Sequence, residues 1–315
     1  LEGILIVDNH LLTKNGTAVI KLARMFLSMR EGQRLKTVGE YADQLGMGRG
    51  TVQAAMKYLE NSGAISISAK RRQGTYIEKI NYVKLWDLAD FKIITGVMPL
   101  PYSKRYEGMA TGLYRTFDKA KVPFNLAYMR GGYRREQALL SGKYDFAVMS
   151  LLAAESLKES RKNVEIVVEF GEHSYVSGHK VLFSDPACTK IVDGMRVALD
   201  STSADHLILT KCECQDKSVS FVELSYNQIL DSLTQKNVDA AVWNIDEIID
   251  RHLDVRYYDF QSPDAKELEV KATVAVIVTA KSRKGISNVL RQVIDRSLVV
   301  EIQQKVLRSE LLPEY

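Results

Sequence analysis

Hydrophobic residues recur at helical spacing three times in the first quarter of the chain. Between Ala18 and Met29, the residues Val19, Leu22, Ala23 and Phe26 form one stripe with Lys21 and Arg24 outside it, which predicts a first helix. Thr37-Val38-Gly39-Glu40 has the spacing of a capping box, so a second helix is expected from Val38 to Leu45 with Tyr41, Ala42 and Leu45 inward. Gly46-Met47-Gly48 supplies a tight turn. Val52, Ala55, Met56 and Leu59 then fall at i, i+3, i+4 and i+7 of a third helix that Gly63 can end, leaving Arg49, Gln53 and Lys57 to point elsewhere. Behind it the pattern changes to alternation, Ile65 to Ala69 and Thr75 to Ile77, on either side of the basic turn Lys70-Arg71-Arg72-Gln73-Gly74. The expectation is helix, helix, turn, helix, hairpin.

Tyr82 to Phe91 contains no Gly or Pro and reads equally as a short helix or a strand joining this head to the body of the chain. Beyond it strands and helices alternate. Phe91 to Val97, Pro123 to Met129 and Asp145 to Met149 read as strands, with helices starting near Ser103 and spanning Arg134 to Gly142. A second set of short strands comes next, at Lys180–Phe183, Arg196–Leu199, Ser220–Leu224, Ala240–Trp243 and Val255–Tyr258. Glu269 to Thr279 is a long β-branched run, read as the last strand, and a terminal helix is expected from Ile286 to about Arg308. Such alternation predicts mainly parallel sheets covered on both faces, with ligands collecting at the carboxyl ends of the strands.

Composition narrows the class. In 315 residues, 46% hydrophobic and 26% charged positions fit an ordinary folded protein of two or three domains. No apolar run approaches the roughly 20 residues that span a bilayer. The first residues have an acidic side chain where a secretion signal is basic, so a cytoplasmic location without membrane partners is expected, although Leu1 leaves the native start open. Three cysteines, Cys188, Cys212 and Cys214, are an odd number without a C-x-x-C pair and fit a reducing compartment. Cys212 and Cys214 flank Glu213 with no His beside them, so no metal site is expected, and no cofactor. The net charge of +4 is unevenly placed: residues 1–80 hold 12 Lys and Arg against 7 Asp and Glu, and the rest hold 31 against 32. A positive head on a neutral body is the electrostatic footprint of nucleic-acid binding.

The chain carries two resemblances. From about Arg34 to Lys79 it resembles the winged helix-turn-helix of GntR-type bacterial repressors: Glu40 to Val52, then Leu59 to Gly63, then Arg72-Gln73-Gly74-Thr75-Tyr76-Ile77 track that family's run. The resemblance implies that Arg49, Thr51, Gln53 and the wing glycine Gly74 face double-stranded operator DNA. With the hairpin tip and the cap they make a candidate DNA-binding set of Thr37, Arg49, Thr51, Gln53, Lys57, Arg71, Arg72, Gly74 and Thr75. Gly48 stands where Ser is common and Gln53 where Arg is common; Gln pairs with adenine where Arg favours guanine, so the operator is expected to differ from the usual half-site. The body resembles a type II periplasmic-binding-protein-like effector module, also used by LysR-type regulators, through Thr95 to Pro101, Tyr106-Glu107-Gly108 and Leu139 to Val148. The whole chain most closely resembles YhfZ-type regulators of enterobacteria, which join such a head to such a body.

The expected fold class is therefore multidomain. An N-terminal, all-α-rich winged helix-turn-helix covers 1–80, a linker 81–91, and a two-lobed α/β type II periplasmic-binding-protein-like domain 92–315. Lobe 1 is about 92–175 and 263–315; lobe 2 is about 176–262. Polar residues at expected strand ends and loops nominate Ser103, Arg130, Ser150, Ser201, Ser203 and Asn244 as ligand-binding. Arg130 can take a carboxylate or phosphate in a bidentate pair, or be a solvated loop residue. Asp200 to Asp205 can open a helix onto an anion, or be a plain N-cap. The resulting expectation is a regulator with a small anionic effector and no catalytic residues, acting as a homodimer because helix-turn-helix proteins read paired half-sites. An enzyme is the alternative, resting on His173, His179, Glu169, Glu172 and Asp185; no G-x-S-x-G, H-E-x-x-H or P-loop sequence accompanies them.

Overall fold

The computed structural model describes residues 13–91, 93–160 and 163–315. They form two compact units. One holds the N-terminal part through Ile94 together with Arg283–Val293, and the other holds Thr95–Ser282 and Ile294–Tyr315.

The first unit begins with α1 (Lys14–Phe26), α2 (Val38–Leu45) and α3 (Arg49–Asn61), followed by the antiparallel strands β1 (Ile65–Lys70) and β2 (Gly74–Ile80) and by α4 (Tyr82–Leu88). α1 starts earlier than the hydrophobic stripe suggests because the Thr13 hydroxyl caps it, accepting from the Gly16 amide at 3.2 Å. Ala18, rather than Val19, fills its first inward position. The capping box of α2 forms as its spacing predicts: Thr37 Oγ1 accepts from the Glu40 amide at 3.2 Å and Glu40 Oε2 accepts from the Thr37 amide at 2.7 Å. Gly46 ends α2 at φ +66°, a left-handed angle that glycine adopts without strain. The stripes of α1 and α3 then close on Tyr41, whose ring meets Phe26 edge-on at 5.7 Å. Tyr82 to Phe91, a stretch whose pattern suits helix and strand equally, contains α4 and buries Leu85 and Trp86.

The second unit carries two five-stranded sheets. β3 (Ile94–Met98), α5 (Lys104–Ala120), β4 (Phe124–Tyr128), α6 (Gly132–Leu140), β5 (Phe146–Ser150), α7 (Leu151–Glu159) and β6 (Val164–Glu169) build the first lobe. β7 (His179–Phe183), β8 (Arg196–Leu199), α8 (Ala204–Glu213), β9 (Ser220–Glu223), α9 (Tyr226–Thr234), β10 (Ala240–Asn244), α10 (Ile245–Asp250) and β11 (Tyr257–Tyr258) build the second. The chain then returns through α11 (Pro263–Thr273) to β12 (Ala275–Ala280), so the sheet orders are β4-β3-β5-β12-β6 and β11-β7-β10-β8-β9. The sheets are mixed, which corrects the expectation of mainly parallel ones: β3 and β5 pair in parallel but β12 runs antiparallel to β5 and β6, and β8 is parallel to β9 and β10 but β7 is antiparallel to β10. In β10, Ala240 and Val242 enter one core cluster and Ala241 and Trp243 another, so the strand is covered on both faces.

Two expectations need correction at the C-terminal end. The β-branched run from Glu269 is not one strand. Ser262 caps and Pro263 opens α11, which carries Glu269 to Thr273 before β12 begins. The terminal helix is two helices, α12 (Lys284–Val293) and α13 (Arg296–Leu307), because Asp295 breaks the run and caps the second, accepting from the Leu298 amide at 3.1 Å. Finally, α12 belongs to the first unit: Asn288 Nδ2 donates to the Leu27 carbonyl at 2.9 Å and Gln292 Oε1 accepts from the Val83 amide at 3.1 Å. By contact, the stretch 81–91 and α12 group with residues 13–80 in one unit. α13 packs on α5 in the second unit. Gly108 and Gly112 admit it, since a Cβ on either would stand within 2.9 Å of the Gln303 or Val299 backbone. No described helix is long and apolar enough to cross a membrane.

Candidate functional site

In the first unit, burying Val52, Ala55, Met56 and Leu59 leaves Arg49, Gln53 and Lys57 exposed at four-residue intervals, one continuous row along α3. The Arg49 guanidinium lies 3.6 Å from where a Cβ on Gly39 would stand, an ordinary van der Waals distance. Thr51 is half-buried. Thr37 is exposed, but its hydroxyl is engaged by Glu40, to whose Oε2 it donates at 2.8 Å. Arg71 and Arg72 are exposed in the tight turn between β1 and β2. Gly74 comes next at φ +96°, and a Cβ there would lie 2.8 Å from Arg34 Nε, so the hairpin base requires glycine and is backed by an arginine outside the expected set. Thr75 is half-buried in the ladder opposite Ala69.

In the second unit, the loops after β3, β4, β8, β9 and β10 surround a cavity of about 100 Å³. Both lobes contribute. Pro99, Leu100, Tyr102, Tyr106, Arg130, Gly131, Gly132, Arg135, Tyr175 and Val176 come from the first, and His179, Asp200, Ser203, Asp205, His206, Tyr226, Asn244 and Glu247 from the second. Near it, Arg105 of α5 and Asp246 of α10 form a buried ion pair at 3.2 Å that ties the two lobes.

Charged and polar side chains share the lining with aromatic and apolar ones. Arg135 is only 6% exposed; its Nη1 donates to the Met129 carbonyl at 2.9 Å and its Nη2 to the Tyr175 hydroxyl at 3.3 Å, while Nε has no partner among the described residues. Asp205 accepts from Ser150 Oγ at 2.5 Å, and burial raises its carboxyl to about 6 against the lowering pull of Ser150 and Arg135. Burial likewise depresses His179 to about 3 and His206 to about 4, so both imidazoles are neutral. His206 Nδ1 accepts from the Asp200 amide at 3.1 Å, which leaves the ring proton on Nε2, an atom without a well-formed hydrogen bond among the described residues. Asp200 is engaged by the Thr202 amide at 2.9 Å and hydroxyl at 2.5 Å and by the Tyr226 amide at 2.9 Å, and Glu247 pairs with Arg251 at 2.7 Å. Tyr226 stacks on Trp243 at 3.9 Å, and Tyr106 meets Tyr175 edge-on at 5.3 Å.

Of the six nominated ligand residues, Arg130, Ser203 and Asn244 line this cavity and Ser103, Ser150 and Ser201 do not. Their hydroxyls have other work. Ser103 caps α5, Ser150 caps α7 and holds Asp205, and Ser201 donates to Glu223 at 2.7 Å in an exposed turn. Ser203 and Asn244 also cap helices, α8 and α10. The helix opening at Asp200 to Asp205 places a carboxylate, Asp205, in its own first turn. Arg135, the tyrosines and His206 lie outside the set that strand-end position selects. A signal exists for Arg135, which stands four residues before Leu139 on the buried stripe of α6, where an arginine needs a reason to be. Among the residues of the enzyme reading, His179 lines the cavity, whereas His173 is exposed with Nδ1 3.0 Å from the Ser177 carbonyl.

Comparison with known proteins matches two stretches of the chain. Residues 30–77 match a family model described as a helix-turn-helix domain, and residues 81–315 match one described as the YhfZ C-terminal domain. The chain is 35% identical over 302 residues to the uncharacterized protein YhfZ of Escherichia coli (strain K12), covering 96% of this chain and 98% of that one. The crystal structure of YhfZ from Shigella flexneri superposes with a TM-score of 0.62 at 36% identity, over 74% of this chain and 98% of that one. An ABC-transporter periplasmic substrate-binding protein from Coxiella burnetii is similar at 13% identity and a TM-score of 0.46, over 70% and 100% of the two chains. The helix-turn-helix match marks the first part of the chain as that of a DNA-binding regulator. With a matching domain over 81–315 and a relative matched along nearly its whole length, the chain belongs to the YhfZ family.

Proposed function

We propose that the chain is a ligand-responsive transcriptional regulator that binds operator DNA as a homodimer through a GntR-like winged helix-turn-helix and takes a small anionic metabolite in the cavity between its lobes. The observation that carries this reading is Arg135, a buried guanidinium with an unpartnered Nε and no ion-pair partner among the described residues. A buried charge is costly unless paired, so a fold that keeps one in a cavity is suited to receiving its counter-charge. Arg130, on the loop after β4, supplies a second cation. In the head, Arg49, Gln53 and Lys57 have the spacing to enter a major groove, and Arg71 and Arg72 to lie on phosphates or in a minor groove. Thr51 and the Gly74 amide flank that surface, with Thr75 behind it; Thr37 serves the helix cap. A ligand that binds one lobe arrangement more tightly shifts the equilibrium towards it, and DNA affinity changes with it if the heads differ between the two.

Binding of the full chain to DNA from its own promoter region, measured across salt concentrations, tests the DNA half of this reading. Affinity is expected to fall steeply with salt, and Arg49→Ala and Arg72→Ala each to weaken binding and lower the salt slope by about one. Undiminished binding in both variants removes the assignment. An acid–base enzyme is the second reading, favoured by two neutral imidazoles in one cavity. His206 is a donor in this arrangement and not a base, which weighs against it.

A further inference from the structure

We propose that the cavity is built for a zwitterion, a small amino acid whose carboxylate is held by Arg135 and Arg130 and whose ammonium is held by Asp205. This rests on the anionic-effector reading and narrows it. Of the three acidic side chains lining the cavity, Asp200 accepts three hydrogen bonds and Glu247 is paired with Arg251. Asp205 alone has one bond, from Ser150, to one carboxylate oxygen; the other oxygen has no partner among the described residues. Arg135 lines the same small cavity and its charge pulls the Asp205 carboxyl down, yet among the described residues the two do not close into an ion pair. Two buried groups of opposite charge would ordinarily gain by meeting. Ser150 anchors the carboxylate and the Met129 carbonyl and Tyr175 hydroxyl anchor the guanidinium, so the fold keeps them apart.

A ligand carrying both charges completes both groups at once. A plain carboxylate or phosphate would satisfy Arg135 but bring a second negative charge to Asp205, and a plain amine would leave Arg135 buried and unpaired. The size is restrictive: a volume of about 100 Å³ is roughly three waters' share of liquid volume, which favours a small amino acid. Tyr226, stacked on Trp243, offers an aromatic wall to an uncharged side chain.

The test uses the full chain and the proteinogenic L-amino acids as probes in thermal-shift measurements. For each amino acid that raises the melting temperature, its deaminated acid and its decarboxylated amine are compared by calorimetry. At least one amino acid is expected to bind, its deaminated acid about tenfold or more weakly, and its amine more weakly still. Asp205→Asn is expected to weaken the amino acid by about tenfold or more while the deaminated acid binds as well as before or better, a reversal that loss of structure would not produce. The analogue series decides the matter without any variant. If no amino acid binds, or if a deaminated acid binds as tightly as its parent, the zwitterion assignment is overturned. In the second case the anion reading stands so long as Arg135→Gln loses the acid; if Arg135→Gln keeps it, that reading falls as well.

Discussion

The chain holds arginines in two opposite settings. Arg49, Arg71 and Arg72 stand exposed on a helix and a hairpin tip, whereas Arg135 is buried at the base of α6. Exposed cations cost the fold little and attract a polyanion through summed, screened charge; their effect on binding is broad and salt-dependent. A buried cation is restrained by Met129 and Tyr175, cannot be screened by salt, and discriminates by geometry and by the charge opposite it. The same residue type therefore serves attraction in one unit and selection in the other.

The largest expected effect that separates the two settings comes from Arg135→Gln. It should reduce effector affinity by about 100-fold or more while leaving promoter DNA affinity and its salt dependence unchanged, as checked by calorimetry and by fluorescence anisotropy. A loss of DNA affinity without ligand would break the distinction. Next is the response of stability to acid, which belongs to the buried side. His179 and His206 have folded values near 3 and 4, below the ordinary 6.5, so below about 6.5 the unfolded chain takes up two protons that the folded chain refuses. Stability present above that value is lost as pH falls. Asp205, raised to about 6 from 3.8, works in the opposite sense between those values, because there the folded chain is the one that binds the proton. Two groups outweigh one, and stability should drop by on the order of 3 kcal/mol between pH 6.5 and 4. Asp205→Asn should make the fall steeper, measured by denaturant unfolding at a series of pH values. Smaller again is Gln53→Ala, expected to cost about 1–3 kcal/mol at adenine-bearing half-sites and little elsewhere, read from anisotropy on a panel of operator variants. Thr37→Ala should remove about 1 kcal/mol of stability by breaking the α2 cap, with only a small effect on DNA affinity.

The legibility of each unit divides along the same line. The head is written locally: four-residue periodicity places α3, the Thr37–Glu40 spacing places α2, and glycines at 46 and 74 mark left-handed turns that the structure contains. The cavity is assembled from loops after five strands in two sheets, and no local pattern announces which polar residues converge. Serines at strand ends are candidates by position, yet Ser103 and Ser150 turn inward to cap helices, since an orphan amide is a nearer partner than a ligand. Arg135 escapes a reading by pattern because charged residues on a helix are usually solvent-facing. The β-branched run from Glu269 misleads for a related reason: Ser262 and Pro263 set a helix start that outweighs the strand preference of Val270 and Thr273.

Whether the two units speak to each other is the most direct test of a ligand-responsive regulator. Promoter DNA is titrated with the full chain, with and without saturating amino acid chosen by the thermal-shift panel, in the native chain and in Arg135→Gln. The expected result is a change in DNA affinity of about fivefold or more on adding the amino acid, the same factor in ligand affinity on adding DNA, and no change in Arg135→Gln. DNA affinity that stays the same while the cavity is saturated would contradict it.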